Sequence, residues 1–455
     1  MIASHTYALK LQARTICPHC WHAFSPEEVL WVSRHPDLLG DLRLGAEQQQ
    51  RFLPTRFSIE GDALDSEGFT CNAIACPRCH LNLPRAMMEM TPLFSSILGA
   101  PGSGKSYFLA AMTWALRQQL PKLFKVSLTD VEPTAHINLN AYEETLFLNG
   151  KPNDLVALPK TDLQGDHLYD TVQFGEQHMM FPRPFVFGLR PLTGHPKEKQ
   201  ADTVSRALCL YDNAGEHFLP GSDKVGTPVT QHLAISRFLF FLFDPTQDPR
   251  FREEMDGRSP DPQIGKAAKT YRQETILLEA ADRVRRYAGV AQTGKHQKPL
   301  IVVVTKFDAW CSILGQETGR PVLPQAYVST PQGTALDPTK VEEMSRAVRL
   351  VLNEFAREFV AAAESFAEHV IYVPVSALGS APELDPATNA LCIRPRNIRS
   401  LWVEMPMIYA LARWGNGLVP LAGSRTQAPA SLAVKASGKT KANAVASATA
   451  SDVAS

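Results

Sequence analysis

Phe94-Ser95-Ser96-Ile97-Leu98-Gly99-Ala100-Pro101-Gly102-Ser103-Gly104-Lys105-Ser106 decides how this chain is read. A short apolar run ends at Gly99, and Gly99 to Ser106 fit the pattern G-x-x-x-x-G-K-[ST]. Beyond it, Phe108, Met112, Ala115 and Leu116 share one helical face, so the loop joins a strand to an amphipathic helix, the context the pattern requires. Glycines let such a loop curl until its N–H groups and the helix N-terminus point at phosphate oxygens. The candidate nucleotide contacts are Gly99, Ala100, Pro101, Gly102, Ser103, Gly104, Lys105, Ser106 and Tyr107. Lys105 is placed to reach the β and γ phosphates, as a catalytic cation, and Ser106 to coordinate magnesium.

Around the loop, apolar runs alternate with helical stretches: Phe94–Leu98, Phe185–Leu189, Ala207–Tyr211, Phe238–Phe243, Leu300–Val304 and Val370–Val375. Met344, Val348, Leu352, Phe355 and Phe359 make a second apolar helical face. This is the pattern of an α/β protein with a mainly parallel sheet, here a three-layer P-loop NTPase domain expected over residues 93–415. Three poorly periodic stretches, about 120–180, 246–298 and 311–338, are too long for ordinary connections and read as insertions. Residues 1–92 read as a separate module. From Leu421 to Ser455 the chain turns to Ala, Ser and Thr with scattered Lys, too little apolar surface to offset the entropy of ordering, so a disordered tail is expected over 416–455.

A magnesium site beside a phosphate loop needs a second acidic ligand. Ala207–Asp212 is an apolar strand ending in an aspartate and followed by Gly215, so Asp212 is the candidate. The run Leu300–Val304 leads into Thr305-Lys306-Phe307-Asp308, where a carboxylate can accept two hydrogen bonds from guanine N1 and N2 that adenine cannot supply in that arrangement. The last strand ends in Ser376-Ala377-Leu378, where a backbone N–H can meet guanine O6. A first-switch threonine on magnesium must come from the stretch before Phe185. Thr134, Thr145, Thr161 and Thr171 compete, and the proline-led polar turn around Thr161 suits a switch loop best.

Cys17-Pro18-His19-Cys20 and Cys76-Pro77-Arg78-Cys79 are two Cys-Pro-x-Cys turns, each able to aim two thiolates at one tetrahedral ion, as in zinc ribbons. About 55 residues separate them, where such pairs are usually about 15–20 apart, so the intervening segment should form a subdomain. A redox dithiol lacks its strand-helix context here, and structural Zn2+ on Cys17, Cys20, Cys76 and Cys79 is expected in preference to unliganded core cysteines. His19, His22, His80 and Cys71 read as bystanders.

With 46 basic against 46 acidic residues among 455, no global charge favours nucleic acid or an anionic membrane as the main partner. A hydrophobic content of 44% excludes wholesale disorder. There is no apolar run of the roughly 18 residues needed for a membrane span and no signal-peptide core, so a cytoplasmic location is expected.

Taken in order, the phosphate loop, Asp212-x-x-Gly215, Thr305-Lys306-x-Asp308 and Ser376-Ala377-Leu378 resemble the translation-factor-class, Ras-like P-loop GTPases. With the cysteine pairs, the chain looks most like the double-GTPase type 2 proteins of bacterial conflict systems. The resemblance implies GTP/GDP and Mg2+ as ligands, Gly215 in the second switch, and protein partners such as another GTPase, an adaptor or an effector. Thr305 stands where that family usually has Asn, and Leu378 where it has Lys. Glu216 replaces the water-orienting glutamine, so intrinsic hydrolysis should be slow or depend on His217 or a partner. Two rival readings are an ATP-binding P-loop enzyme and a zinc-ribbon adaptor with a nucleotide as structural ligand.

Overall fold

The computed structural model describes residues 11–159, 169–212, 231–265, 270–317 and 321–423. Its centre is a seven-stranded sheet: β1 (Thr91–Gly99), β2 (Val126–Asp130), β3 (Phe185–Pro191), β4 (Arg206–Asp212), β5 (Phe238–Phe243), β6 (Leu300–Val304) and β7 (Val370–Pro374). Their order is β2-β3-β4-β1-β5-β6-β7. The five strands from β4 to β7 in that order run parallel, and β3 is antiparallel to both its neighbours. The fold is mixed α/β with a mainly parallel sheet, as the apolar runs predict. β5 and β6 are buried at every residue, because a strand covered on both faces cannot alternate with polar side chains.

Six main helices pack on the sheet: α1 (Lys105–Gln119), α2 (Ile137–Phe147), α3 (Gln273–Ala288), α4 (Pro338–Phe355), α5 (Arg357–Phe366) and α6 (Met405–Trp414). Phe238, Phe240 and Leu242 share one core with α1, α2 and α6, while Leu239, Phe241 and Phe243 share another with α3, α4 and α5. The period of two along β5 thus splits its side chains between two helical layers. Local caps set the helix ends. The Asp337 carboxylate accepts from Thr339 N at 3.0 Å ahead of Pro338 in α4, and Gly289, at φ +65°, ends α3.

Two of the stretches read as insertions carry parts of this core. Residues 120–180 supply the edge strand β2 and helix α2, and 246–298 supply α3. β2 is only Val-Ser-Leu-Thr-Asp, with two buried apolar residues, and the buried face of α3 mixes Ile276, Leu277 and Val284 with two alanines and Arg283. Both apolar signals are too diluted to be recognised along the chain. The third stretch forms a hairpin, Tyr327–Thr330 against Gly333–Leu336.

The N-terminal region is built from short antiparallel strands, four of them in one sheet ordered 82–83, 74–75, 30–32, 51–52. Its cysteines and Met87 share a core with Phe94, Val186, Ala207, Cys209 and Tyr211, so it covers β1, β3 and β4 on the face opposite α1. At the other end of the chain, Leu418 and Val419 are buried and Ala422 N donates to Leu336 O at 2.8 Å. No helix among the described residues is long and apolar enough to cross a membrane.

β1 lies where the connections change direction. The chain leaves it toward β2, β3 and β4 on one side and returns across it to β5, β6 and β7 on the other. In open α/β sheets the crevice at such a point, beyond the carboxyl ends of the strands, is where ligands bind.

Candidate functional site

Strand register brings the sequence motifs to that crevice. Ile97 pairs with Asp212, Gly99 with Leu242, Phe243 with Val304, and Val304 with Pro374. The phosphate loop, Asp212, Asp244, Thr305 and Ser376 therefore leave five neighbouring strands at one edge.

The loop from Gly99 to Gly104 turns directly into α1. Gly104 is its N-cap at φ +88°, a left-handed conformation that a side chain resists. A Cβ on Gly99 would lie 2.9 Å from both Leu242 O and Ser103 Oγ, so the close approach of β1 to β5 requires glycine. Lys105 Nζ folds back over the loop to Gly99 O at 3.2 Å and Ala100 O at 3.1 Å. Ser103 N donates to Ala100 O at 3.2 Å, and its Oγ is buried with no hydrogen-bond partner among the described residues. Tyr107, in contrast, turns its hydroxyl away to accept from Leu158 N at 2.9 Å.

Asp212 Oδ1 is likewise buried and unpartnered among the described residues. Burial pushes the Asp212 carboxyl up to about 6, with the nearby Lys105 ammonium pulling the other way. A buried carboxylate with one unpartnered oxygen and an unpartnered hydroxyl beside a curled loop of N–H groups fit a phosphate with a hydrated divalent cation, which would satisfy both. Ser106 and Asp212 would hold such a cation.

The same burial gives a stability signature. Asp212 has a folded-state value above its ordinary 3.8, so the unfolded chain releases the proton first as pH rises. The resulting penalty is absent below about pH 4 and complete above about pH 6. Asp212→Asn is therefore expected to stabilise the ligand-free protein at pH 7.5 by about 1–3 kcal/mol and to gain roughly a third of that at pH 4.5. Scanning calorimetry at the two values checks this. A variant less stable than the parent at pH 7.5 would show that the carboxylate is structural.

On the other side of β1, Asp308 begins a short helical turn, Phe307–Trp310, and is 6% exposed. Burial raises its carboxyl, while a hydrogen bond from Ser376 and the charge of Lys306 lower it. The end of β6 and the end of β7 thus meet at this carboxylate. Lys306 sits at φ +55°, strained for a residue with a side chain, and its Nζ reaches Asp244 Oδ2 at 2.6 Å and Thr246 Oγ1 at 2.9 Å. Thr305 Oγ1 donates to Phe243 O at 3.2 Å. Ser376 N and Leu401 N exchange bonds with each other's carbonyls at 3.0 and 2.8 Å, and Ser400 Oγ donates to Ala377 O at 2.7 Å. Ala377 and Leu378 pack on the core below.

Asp244 and Gln247 went unread in the sequence. Asp244 caps the turn after β5, its backbone is held from both sides by the Gln273 amide at 2.8 Å, and Gln247 Nε2 donates to Pro101 O at 3.0 Å. This turn ties the phosphate loop to Lys306. The available signal was an aspartate directly after a wholly apolar strand, as at Asp212. Thr161, Gly215, Glu216 and His217 lie outside the described residues. Of the other candidate threonines, Thr134 lies in the helical turn Pro133–His136, Thr145 spends its hydroxyl on Ala141 O at 2.7 Å within α2, and Thr171 is in the hairpin Tyr169–Pro182.

The cysteine pairs meet. Cys17, Cys20, Cys76 and Cys79 are buried, and their sulfurs all lie within 4.8 Å of one another. Cys17 to Cys79 is 3.8 Å and Cys20 to Cys76 is 3.6 Å, against about 3.8 Å for the edge of a tetrahedron of sulfurs around zinc. The two turns repeat each other. In each, the first cysteine's N bonds the carbonyl five residues on (Cys17 to His22, Cys76 to Leu81), and its sulfur accepts from the N–H two residues on (His19, Arg78). In each, the residue after the second cysteine, Trp21 or His80, is left-handed. Burial raises the Cys17 thiol, whereas hydrogen bonds from the Cys17 and Cys20 thiols lower Cys76. Four buried thiols at this spacing suit a cation that takes them all as thiolates. His80, held by Asp41 at 2.8 Å, and His19, held by Asn82 O at 3.2 Å, do not belong to the cluster of ligand atoms, which consists of the four cysteines.

No family model matches this chain. A solved structure it is similar to is the S. cerevisiae Ski7 GTPase-like domain bound to GTP, at 12% identity over 70% of this chain and 51% of that one, about half its length. The TM-score is 0.23, below the level at which a common fold is defined. A candidate ESX-1 scaffolding and assembly protein, SaeC of Mycolicibacterium smegmatis, is 25% identical over 393 residues, covering 80% of this chain and 92% of that protein.

Proposed function

We propose that the chain is a guanine-nucleotide-binding P-loop protein, a magnesium-dependent GTPase switch with an N-terminal zinc ribbon, which acts on partner proteins. The supporting observation is the convergence at one sheet edge of the Gly99–Ser106 loop, the buried Asp212 carboxylate and the buried Asp308 carboxylate where β6 and β7 end side by side. In this reading Lys105 and the loop N–H groups hold the phosphates, Ser106 and Asp212 the magnesium, and Asp308 the guanine edge, with Thr305 and Lys306 supporting it. Magnesium would neutralise charge developing between the β and γ phosphates. Thr161 completes the first switch and Gly215 the second. Glu216 and His217, which follow Gly215 in the sequence, would orient the attacking water, and turnover is slow without a partner. A role in building a protein assembly is supported by the scaffolding and assembly description of the mycobacterial relative. The partners would be another GTPase, an adaptor or an effector, and the site of action the cytoplasm.

Titration of the purified protein with fluorescent GDP and ADP analogues in magnesium, repeated on Asp308→Ala, tests this. The parent is expected to prefer GDP, and the variant to lose roughly 100-fold of that affinity, the size of two hydrogen bonds to a charged group. ADP binding equal to GDP binding and untouched by the substitution would make the protein an adenine-nucleotide enzyme instead.

A further inference from the structure

The cysteine cluster and the candidate magnesium ligand are joined by a chain of buried contacts that the nucleotide reading does not use. The Tyr211 hydroxyl donates to the carbonyl of Pro18 at 2.5 Å and accepts from the Trp21 indole nitrogen at 3.1 Å. Pro18 lies between Cys17 and Cys20, and Trp21 follows at φ +57°. Both partners of the tyrosine therefore come from one cysteine turn, whose shape is held by N–H groups of His19 and Cys20 on the Cys17 sulfur. Tyr211 is fully buried, and Asp212 is the next residue along β4.

The contact reaches β1 as well. The Tyr211 ring stacks on His232 at 4.5 Å and 14°. His232 Nδ1 lies 2.7 Å from Ser96 Oγ, which also meets Ser236 Oγ at 2.7 Å. Ser96 pairs in register with Tyr211 and stands three residues before Gly99. Beside their backbone ladder, the strands that carry the phosphate loop and Asp212 are thus linked, next to the site, through a side chain whose hydroxyl finds its partners among the described residues in the cysteine turn. If the thiolates separate, Pro18 and Trp21 move, and a fully buried hydroxyl loses its partners unless β4 shifts with them.

We propose that metal occupancy of Cys17, Cys20, Cys76 and Cys79 is coupled through Tyr211 to magnesium-nucleotide binding at Asp212, which makes the N-terminal module a regulator of the nucleotide site. The inference rests on the nucleotide reading above. Tyr211 is a positioning residue: it touches neither ligand and acts by placing the end of β4. Coupling between two binding equilibria is reciprocal, so magnesium-GDP must tighten zinc by the factor by which zinc tightens magnesium-GDP.

The test uses the full chain. A fluorescent GDP analogue is titrated with and without magnesium into zinc-loaded and zinc-depleted protein, in chelator-free buffer. Zinc affinity is measured by competition with a chromophoric chelator, with and without magnesium-GDP. The expected result is about a tenfold loss of magnesium-dependent GDP affinity on zinc removal, and a matching tenfold gain in zinc affinity with magnesium-GDP. Tyr211→Phe keeps all four thiolates and is expected to lower magnesium-dependent GDP affinity about tenfold with zinc bound, with magnesium-free GDP affinity and circular dichroism unchanged; an unchanged magnesium-dependent affinity would overturn the coupling. That arm decides the matter if zinc removal unfolds the chain. Zinc affinity indifferent to bound magnesium-GDP would overturn the coupling alone. A zinc-loaded protein that binds no nucleotide would overturn the underlying reading and the coupling with it.

Discussion

Lys105→Ala is expected to reduce affinity for a guanine nucleotide by roughly two to three orders of magnitude while leaving the ligand-free fold intact. In the structure Lys105 Nζ rests on two carbonyls of its own loop, Gly99 O and Ala100 O, contacts that water replaces at little cost. With a phosphate bound, the same half-buried ammonium would be a charged donor to an anion, and truncating one partner of such a pair costs about 2–5 kcal/mol. Each 1.4 kcal/mol is tenfold in the binding constant. Equilibrium titration and thermal melting of the ligand-free variant read the two halves of the expectation. An unchanged affinity would mean that the Gly99–Ser106 turn is a structural joint between β1 and α1 and nothing more.

Cys76→Ser should have the largest effect on stability. Structural zinc in small domains contributes apparent binding free energies of about 10–16 kcal/mol at neutral pH, much of which appears as folding free energy. Here the four thiols sit in a core that also contains Phe94, Val186, Ala207 and Tyr211 from the main sheet. Loss of the metal would therefore not end with a loose N-terminus, since it would also uncover one face of β1, β3 and β4. The expected outcome is an absence of bound zinc and a melting transition lower by ten degrees or more, on the order of the stability scale for a large single unit. Metal analysis with calorimetry measures both. A variant that melts with the parent would show that apolar packing alone holds the cluster closed.

Particular residues show how far the sequence carries. Six of the seven strands were visible as apolar runs because burial on both faces leaves only Phe, Leu, Ile and Val at positions such as 238–243 and 300–304. β2 was hidden, since an edge strand needs only the two apolar contacts of Val126 and Leu128. The phosphate loop was legible because its chemistry is local: glycine φ angles, N–H groups and a lysine within eight residues. Asp308 was legible by its place after a strand. Its contact with Ser376 was not, as about 70 residues separate them and the meeting depends on β6 and β7 being neighbours. Asp244 and Gln247 were missed for the same reason, because nothing near them in the chain announces Lys306 or Pro101 as partners.

By itself, the sequence determined the elements whose physics is local: the two cysteine turns, the phosphate loop, and the strands whose side chains are wholly apolar. Only the tertiary structure decided which of these act together. Two cysteine turns about 55 residues apart close to a tetrahedral spacing because a small β subdomain folds the intervening chain back on itself. The Tyr211 hydroxyl reaches Pro18, 193 residues away, because the N-terminal module covers the face of β4 from which that side chain projects. Such pairings are set by sheet order and by the burial of one surface against another, and neither is encoded in any short stretch of chain.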